Sequence, residues 1–154
     1  MTGGDGSFNR DEAERLARAA LGQDADADAD VWLVTGSVTG RRPYYLVVLG
    51  PPDASTGVAT VDAVSGEVTH CAKLPGAQRH IQVDQDQARS LAHASGGDPA
   101  ELIWLPGDIS MSPLYPFWAV QVSGGRTVYV DLAGSVYTEL RKRDHKGGGR
   151  RSLD

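Results

Sequence analysis

The chain has 154 residues, 40% of them hydrophobic and 23% charged, a composition that excludes a wholly disordered protein. Its longest apolar stretches, such as residues 44–50, are far shorter than the roughly 20 residues that cross a bilayer, so we expect no membrane partner. The N-terminal sequence lacks the basic and then apolar segment of an export signal, and the single cysteine, Cys71, agrees with a reducing compartment; both predict a cytoplasmic protein.

The ends of the chain differ from its middle in composition and charge. The last fourteen residues hold six of the fifteen basic residues and two of the twenty acidic ones, so the rest carries nine basic and eighteen acidic residues, a net charge of −9. Such an acidic body predicts that the protein does not bind nucleic acid, except through the basic tail at 141–154. That tail and the glycine-rich segment 1–8 are predicted to be disordered.

Two parts of the sequence share a pattern of apolar residues. Residues 12–19 and 87–94 are identical at three alanines and one leucine. Further matches follow in the same order, pairing 31–33 with 103–105, 43–48 with 116–120, and 61–62 with 130–131. The common order predicts a duplication, with a first repeat at 9–74, a linker at 75–83 and a second repeat at 84–140.

The first repeat is predicted to begin with a helix. Asn9 and Glu12 have the spacing of a side-chain cap, a stripe of small apolar residues follows, and Gly22 provides a stop. Four strands are then predicted at 31–34, 44–49, 58–61 and 67–71.

The second repeat shows the same order of signals. Asp84 and Gln87 predict a helix cap, Gly96 and Gly97 a helix end, and four strands follow at 102–105, 117–122, 127–130 and 136–140. Because the connections are short and each repeat has a single helix, parallel crossovers are not expected. The predicted fold class is α+β, with two pseudo-repeats, each a short helix packed on a three- to four-stranded antiparallel sheet. Whether the two share one sheet stays open.

The glycine turn of each repeat carries a family resemblance. Residues 61–68 (VDAVSGEV) and 129–136 (YVDLAGSV), each preceded by a helix and an aromatic strand, resemble the PepSY-type domain. The resemblance spans most of residues 9–140 and implies a non-catalytic domain that binds or restrains another protein, often a peptidase. The pattern is also similar to that of small bacterial toxin-immunity proteins.

Recognition residues are predicted in two places. Residues 113–118 concentrate three of the ten aromatic residues beside two prolines, which makes Tyr115, Phe117 and Trp118 candidates for contact with a partner. Strand alternation is expected to bury Phe117 or Trp118 in the core, and Tyr115 is the one expected at the surface. Arg41 and Arg42 are candidates for an anion contact, with a solvated turn as the alternative.

The sequence contains no clear pattern of catalytic or metal-binding residues. His70 and Cys71 are adjacent in a strand and therefore point to opposite faces. The alternating aspartates at 24–30 lack the glycine and the glutamate of a calcium loop. We expect no catalytic residue, no metal and no cofactor.

Together these patterns predict a non-catalytic protein-binding module, of the peptidase-regulator or toxin-immunity type, that acts by occlusion or by adding a partner strand at a sheet edge. The alternative is a small-molecule-binding protein or an enzyme with a pocket between the two repeats.

Overall fold

The fold is α+β, and a helix followed by four strands occurs twice along the chain. The computed structural model describes residues 9–22, 28–35, 39–51, 53–76, 78–93, 99–107 and 109–139. The elements within them, in chain order, are α1 Arg10–Leu21, β1 Ala29–Val34, β2 Tyr44–Leu49, β3 Gly57–Asp62, β4 Val68–Lys73, α2 Gln85–Leu91, β5 Ala100–Ile103, β6 Phe117–Val122, a 3₁₀ turn at Ser123–Gly125, β7 Arg126–Val130 and β8 Val136–Tyr137. None of the described helices is long and apolar enough to span a membrane.

The first helix begins and ends as predicted. The Asn9 side chain accepts a hydrogen bond from the backbone N–H of Glu12 at 2.9 Å, which satisfies one of the unpaired donors at the start of α1. Gly22 ends the helix with a φ of +67°, a left-handed conformation that glycine adopts without a Cβ penalty.

The second helix has the predicted start and an earlier end. Asp84 and Gln87 form a reciprocal capping box, each side chain accepting from the other residue's backbone N–H. The helix ends at Leu91, and the predicted stop at Gly96 and Gly97 lies outside the described residues.

One continuous sheet joins both parts of the chain. Its strands lie in the order β4, β3, β2, β1, β5, β6, β7, β8, and the neighbouring pairs are antiparallel except at the centre. There β1 and β5 run parallel, with Val34 opposite Leu102. Within 9–74 and within 84–140 every strand pair is antiparallel, as predicted. The parallel pair joins these two segments, and the chain between β1 and β5, which contains β2, β3, β4 and α2, is long enough for the connection that parallel strands need.

The two helices pack on opposite faces of the sheet. In β2, Val47 belongs to the apolar cluster of α1, while its neighbour Leu46 belongs to the cluster of α2, as strand alternation requires. The α2 cluster also contains Ile81 and Val83 from the segment before that helix, and it draws on strands from β1 to β7. Residues 46–49 of β2 are therefore buried on both faces of the sheet, whereas Leu33 of the central strand β1 is 43% exposed.

Candidate functional site

The loop between β5 and β6, residues 104–116, is held by two side chains from the earlier part of the chain. Tyr44 Oη at the start of β2 donates to the Pro113 carbonyl at 2.6 Å. His80 Nε2, from the segment between β4 and α2, lies 2.7 Å from the Leu114 carbonyl. Two consecutive carbonyls of the β5–β6 loop are thus anchored to the opposite half of the sheet.

The protonation of both anchors follows from their surroundings. Burial raises the pKa of the Tyr44 phenol far above its usual range, although the Arg41 guanidinium opposes this shift, so the phenol keeps its proton and donates it. Burial lowers the pKa of His80, and its hydrogen bond to Leu114 opposes the shift only in part. At pH 7 the ring is neutral, with its proton on Nε2, because a carbonyl oxygen can only accept.

Serine side chains organise the tip of the β5–β6 loop. Ser110 Oγ donates to the Ser112 carbonyl at 3.0 Å, and Ser112 Oγ accepts from the Leu114 backbone N–H at 3.2 Å. The Tyr115 N–H then closes a turn on the Ser112 carbonyl at 2.9 Å. Pro113 has a fixed φ, which restricts the backbone further. The loop is therefore ordered by its own sequence as well as by its two anchors.

Tyr115 stands at the surface of this ordered loop, as the sequence predicted. Its side chain is 48% exposed, and its ring lies 4.7 Å from the His80 ring, measured between centroids. Met111, in the same loop, is 49% exposed. Two large apolar side chains of the kind enriched in protein interfaces are thus presented on one loop.

A cavity of about 570 Å³, here called the Tyr115 cavity, opens beside this loop. Its walls come from the segment around β4 and from the β5–β6 loop and the β7–β8 turn, and include Ser55, Leu74, Pro75, Gln78, His80, Gln82, Ile109, Ser110, Tyr115, Pro116, Asp131, Leu132 and Ala133. The volume lies in the range of sites that bind small molecules or an inserted side chain.

Phe117 and Trp118, two of the predicted partner-binding residues, are core residues. Phe117 is fully buried and packs edge-on against Tyr129, with ring centroids 6.1 Å apart. Trp118 is 4% exposed and donates its Nε1–H to the Val83 carbonyl at 2.8 Å. The sequence predicted that alternation would bury one of them. Both are buried because both faces of β6 are covered, so neither side chain has surface left for a partner.

Arg41 and Arg42 line a second cavity, of about 510 Å³, here called the arginine cavity. The Arg41 guanidinium carbon lies 4.9 Å from the centroid of the Trp104 ring. Arg42 binds both carboxylate oxygens of Asp62, at 3.0 and 3.1 Å. The two adjacent arginines therefore have different partners, one aromatic and one acidic.

His70 and Cys71 are separated by the sheet. His70 pairs with Thr60 and lines the arginine cavity, whereas Cys71 pairs with Ala59, which packs in the α1 cluster on the other face. The arrangement offers no nucleophile beside a base. Of the aspartates at 24–30, two lie outside the described residues, and the part of the chain that is described contains no group of three or more metal-ligating side chains.

The sequence did not identify Tyr44 and His80 as parts of a site. Tyr44 fits the pattern of a strand residue, and His80 lies in the predicted linker. Their contacts join residues 69 and 34 positions apart, so no local spacing signals them. The one histidine of the linker at 75–83 was the available signal.

Comparison of the chain with protein-family models, with curated proteins and with solved structures found no match.

Proposed function

We propose that this protein is a non-catalytic binding module that captures another protein with the surface of its β5–β6 loop, where Tyr115 is the anchor. The observation that carries the proposal is an exposed tyrosine on a loop whose two preceding carbonyls are fixed by Tyr44 and His80. Binding hot spots are enriched in tyrosine, and a loop that is already ordered loses little conformational entropy when it binds.

The Tyr115 cavity supports the same proposal. It opens next to the anchor and has apolar walls that include Leu74, Ile109 and Leu132. A side chain of the partner inserted there would be desolvated against these walls while Tyr115 packs beside it. Pairing an anchor with an adjacent pocket is typical of tight protein interfaces.

The proposal includes two PepSY-like repeats, and the hairpin turns support this part of it. Asp62 Oδ1 accepts from the backbone N–H groups of Val64 and Ser65, both at 2.8 Å. In the matching turn, Asp131 Oδ1 accepts from the N–H groups two and four residues later, at 3.0 and 2.9 Å. The shared aspartate thus serves one structural role twice. A peptidase or a toxin is the class of partner that the resemblance implies, and we propose the cytoplasm as the location.

The test compares variants in capture of a partner from a lysate of the source organism. Val64→Ala is the control, because it truncates an apolar side chain that is 50% exposed and lies outside the β5–β6 loop. The tagged wild-type chain and this variant are expected to retain the same protein at a fixed stoichiometry. Tyr115→Ala is expected to lose it, and Met111→Ala to weaken retention without disturbing the contact with His80. If Tyr115→Ala and Val64→Ala retain the protein equally, the proposed surface is wrong.

A second candidate function is binding of a small molecule in the Tyr115 cavity, favoured by its volume and by walls drawn from both parts of the chain. This function predicts that a ligand found in a small-molecule screen raises the thermal unfolding midpoint. An Ala133→Trp variant, which places a large side chain at an exposed position of the cavity wall, should lose that shift. Failure to find any stabilising ligand, together with Tyr115-dependent capture of a protein, would reject this candidate.

A further inference from the structure

Arg41 is an exposed side chain that contacts an aromatic ring and has no acidic partner among the described residues. Its guanidinium lies over the Trp104 ring, and none of the ion pairs in the described residues involves it. A cation–π contact uses the flat face of the guanidinium and leaves its N–H edges available to an acceptor. The side chain is therefore oriented before any anion binds.

The neighbouring charges do not cancel that of Arg41. Asp62 is the acidic residue in the cavity wall, and both its oxygens are bound by Arg42. Burial would raise the pKa of Asp62, but the Ser65 and Val64 N–H groups and Arg42 together hold it below its usual range. The carboxylate is thus bound by its own turn and by Arg42, and the described wall residues include two arginines and one aspartate.

The rest of the wall combines polar and apolar groups. Thr60 Oγ1 lies 2.7 Å from Thr69 Oγ1 and 3.4 Å from His70 Nδ1, which places hydroxyl and imidazole groups together. Pro43 and Pro113 add apolar surface on other sides. Trp104 Nε1 is buried and has no hydrogen-bond acceptor among the described residues. A volume of about 510 Å³ accommodates a small organic molecule.

We infer that the arginine cavity binds a small organic anion, a carboxylate on an apolar body, with Arg41 as its principal cationic contact. The guanidinium receives the carboxylate on its free edge, the threonine hydroxyls and His70 provide further hydrogen bonds, and the proline and tryptophan walls cover the apolar part. The cavity shares Trp104 and Pro113 with the β5–β6 loop, but neither Tyr115 nor Met111 lines it, so variants of Arg41 and of Tyr115 test the two proposals separately.

The experiment titrates the full chain with 1-naphthoate and, separately, with its neutral analogue 1-naphthamide, and follows the tryptophan indole N–H resonances by NMR. We expect saturable binding of naphthoate that shifts the Trp104 resonance. The Trp118 resonance serves as an internal reference, because its N–H is bonded to the Val83 carbonyl. The affinity for naphthamide is expected to be at least about tenfold lower than that for naphthoate, because the amide lacks the charge-assisted hydrogen bond.

Three arginine variants distinguish the local contact of Arg41 from an effect of net charge. Arg41→Gln is expected to weaken naphthoate about tenfold or more, and Arg41→Lys to retain part of the affinity. Arg126→Gln removes the same charge from an exposed position outside the cavity wall and should change the affinity by less than about twofold. The inference is overturned if naphthoate does not saturate, if naphthamide binds equally well, or if Arg126→Gln weakens binding as much as Arg41→Gln.

Discussion

Replacing Tyr44 by Phe removes the hydroxyl that holds the β5–β6 loop and leaves the aromatic ring in place. The hydrogen bond between Tyr44 Oη and the Pro113 carbonyl is 2.6 Å long and partly buried, and the substitution leaves that carbonyl without its donor. Leaving a buried acceptor unpaired costs about 1–3 kcal/mol, and partial access to water places this case near 1–2 kcal/mol. For a chain of this size, that loss lowers Tm by about 2–8 °C.

The assay is urea unfolding at pH 7 followed by tryptophan fluorescence, combined with hydrogen exchange of the Tyr115 amide, which is bonded to the Ser112 carbonyl. Tyr44→Phe should lower the free energy of unfolding and speed that exchange. The control, Tyr115→Phe, removes a hydroxyl from an exposed ring and should change stability by less than about 0.5 kcal/mol. Equal stability of the two variants, with unchanged exchange, would refute the anchoring role of Tyr44.

Three further predictions test the fold around the site. Phe117→Ala should cost about 3–5 kcal/mol and Tyr115→Ala about 1 kcal/mol in urea unfolding, because only the first is fully buried; similar losses would contradict the burial difference. Gly50→Ala should lower the free energy of unfolding more than Gly124→Ala does. Both glycines have a positive φ, but only at Gly50 would an added Cβ meet backbone atoms, at 2.7 and 2.8 Å. Equal losses of stability would contradict this close approach. The lowered pKa of His80 means that the unfolded chain takes up a proton there first, so the free energy of unfolding falls as the pH drops below about 6.5. His80→Gln should flatten this fall, and an unchanged slope below about pH 6.5 would show that His80 is not its source.

Local signals predicted the elements of this fold well. The caps at Asn9 and Asp84 are local arrangements of a few side chains and backbone groups, and both form as predicted. β2 and β6 have the predicted bounds, because a run of β-branched and aromatic residues between proline and glycine leaves little choice of register. By contrast β8 pairs only at Val136 and Tyr137, although its neighbour β7 continues to Arg126.

Arrangements that depend on distant residues were not predictable. The parallel contact of Val34 with Leu102 and the placement of the helices on opposite faces follow from how two halves join, which no local pattern reports. The same cause explains why the burial of both Phe117 and Trp118 was not predicted. Strand alternation indicates which face of the sheet a side chain lies on, but not whether other residues cover that face.

Photo-crosslinking from position 115 determines whether a partner protein contacts the surface around Tyr115. A benzophenone amino acid placed at 115 and, as a matched control, at the exposed position of Val64 is irradiated in a lysate of the source organism. The account predicts one discrete adduct from position 115, absent from position 64 and suppressed by excess unlabelled wild-type protein. Identical adducts from both positions, or none from position 115, would contradict it.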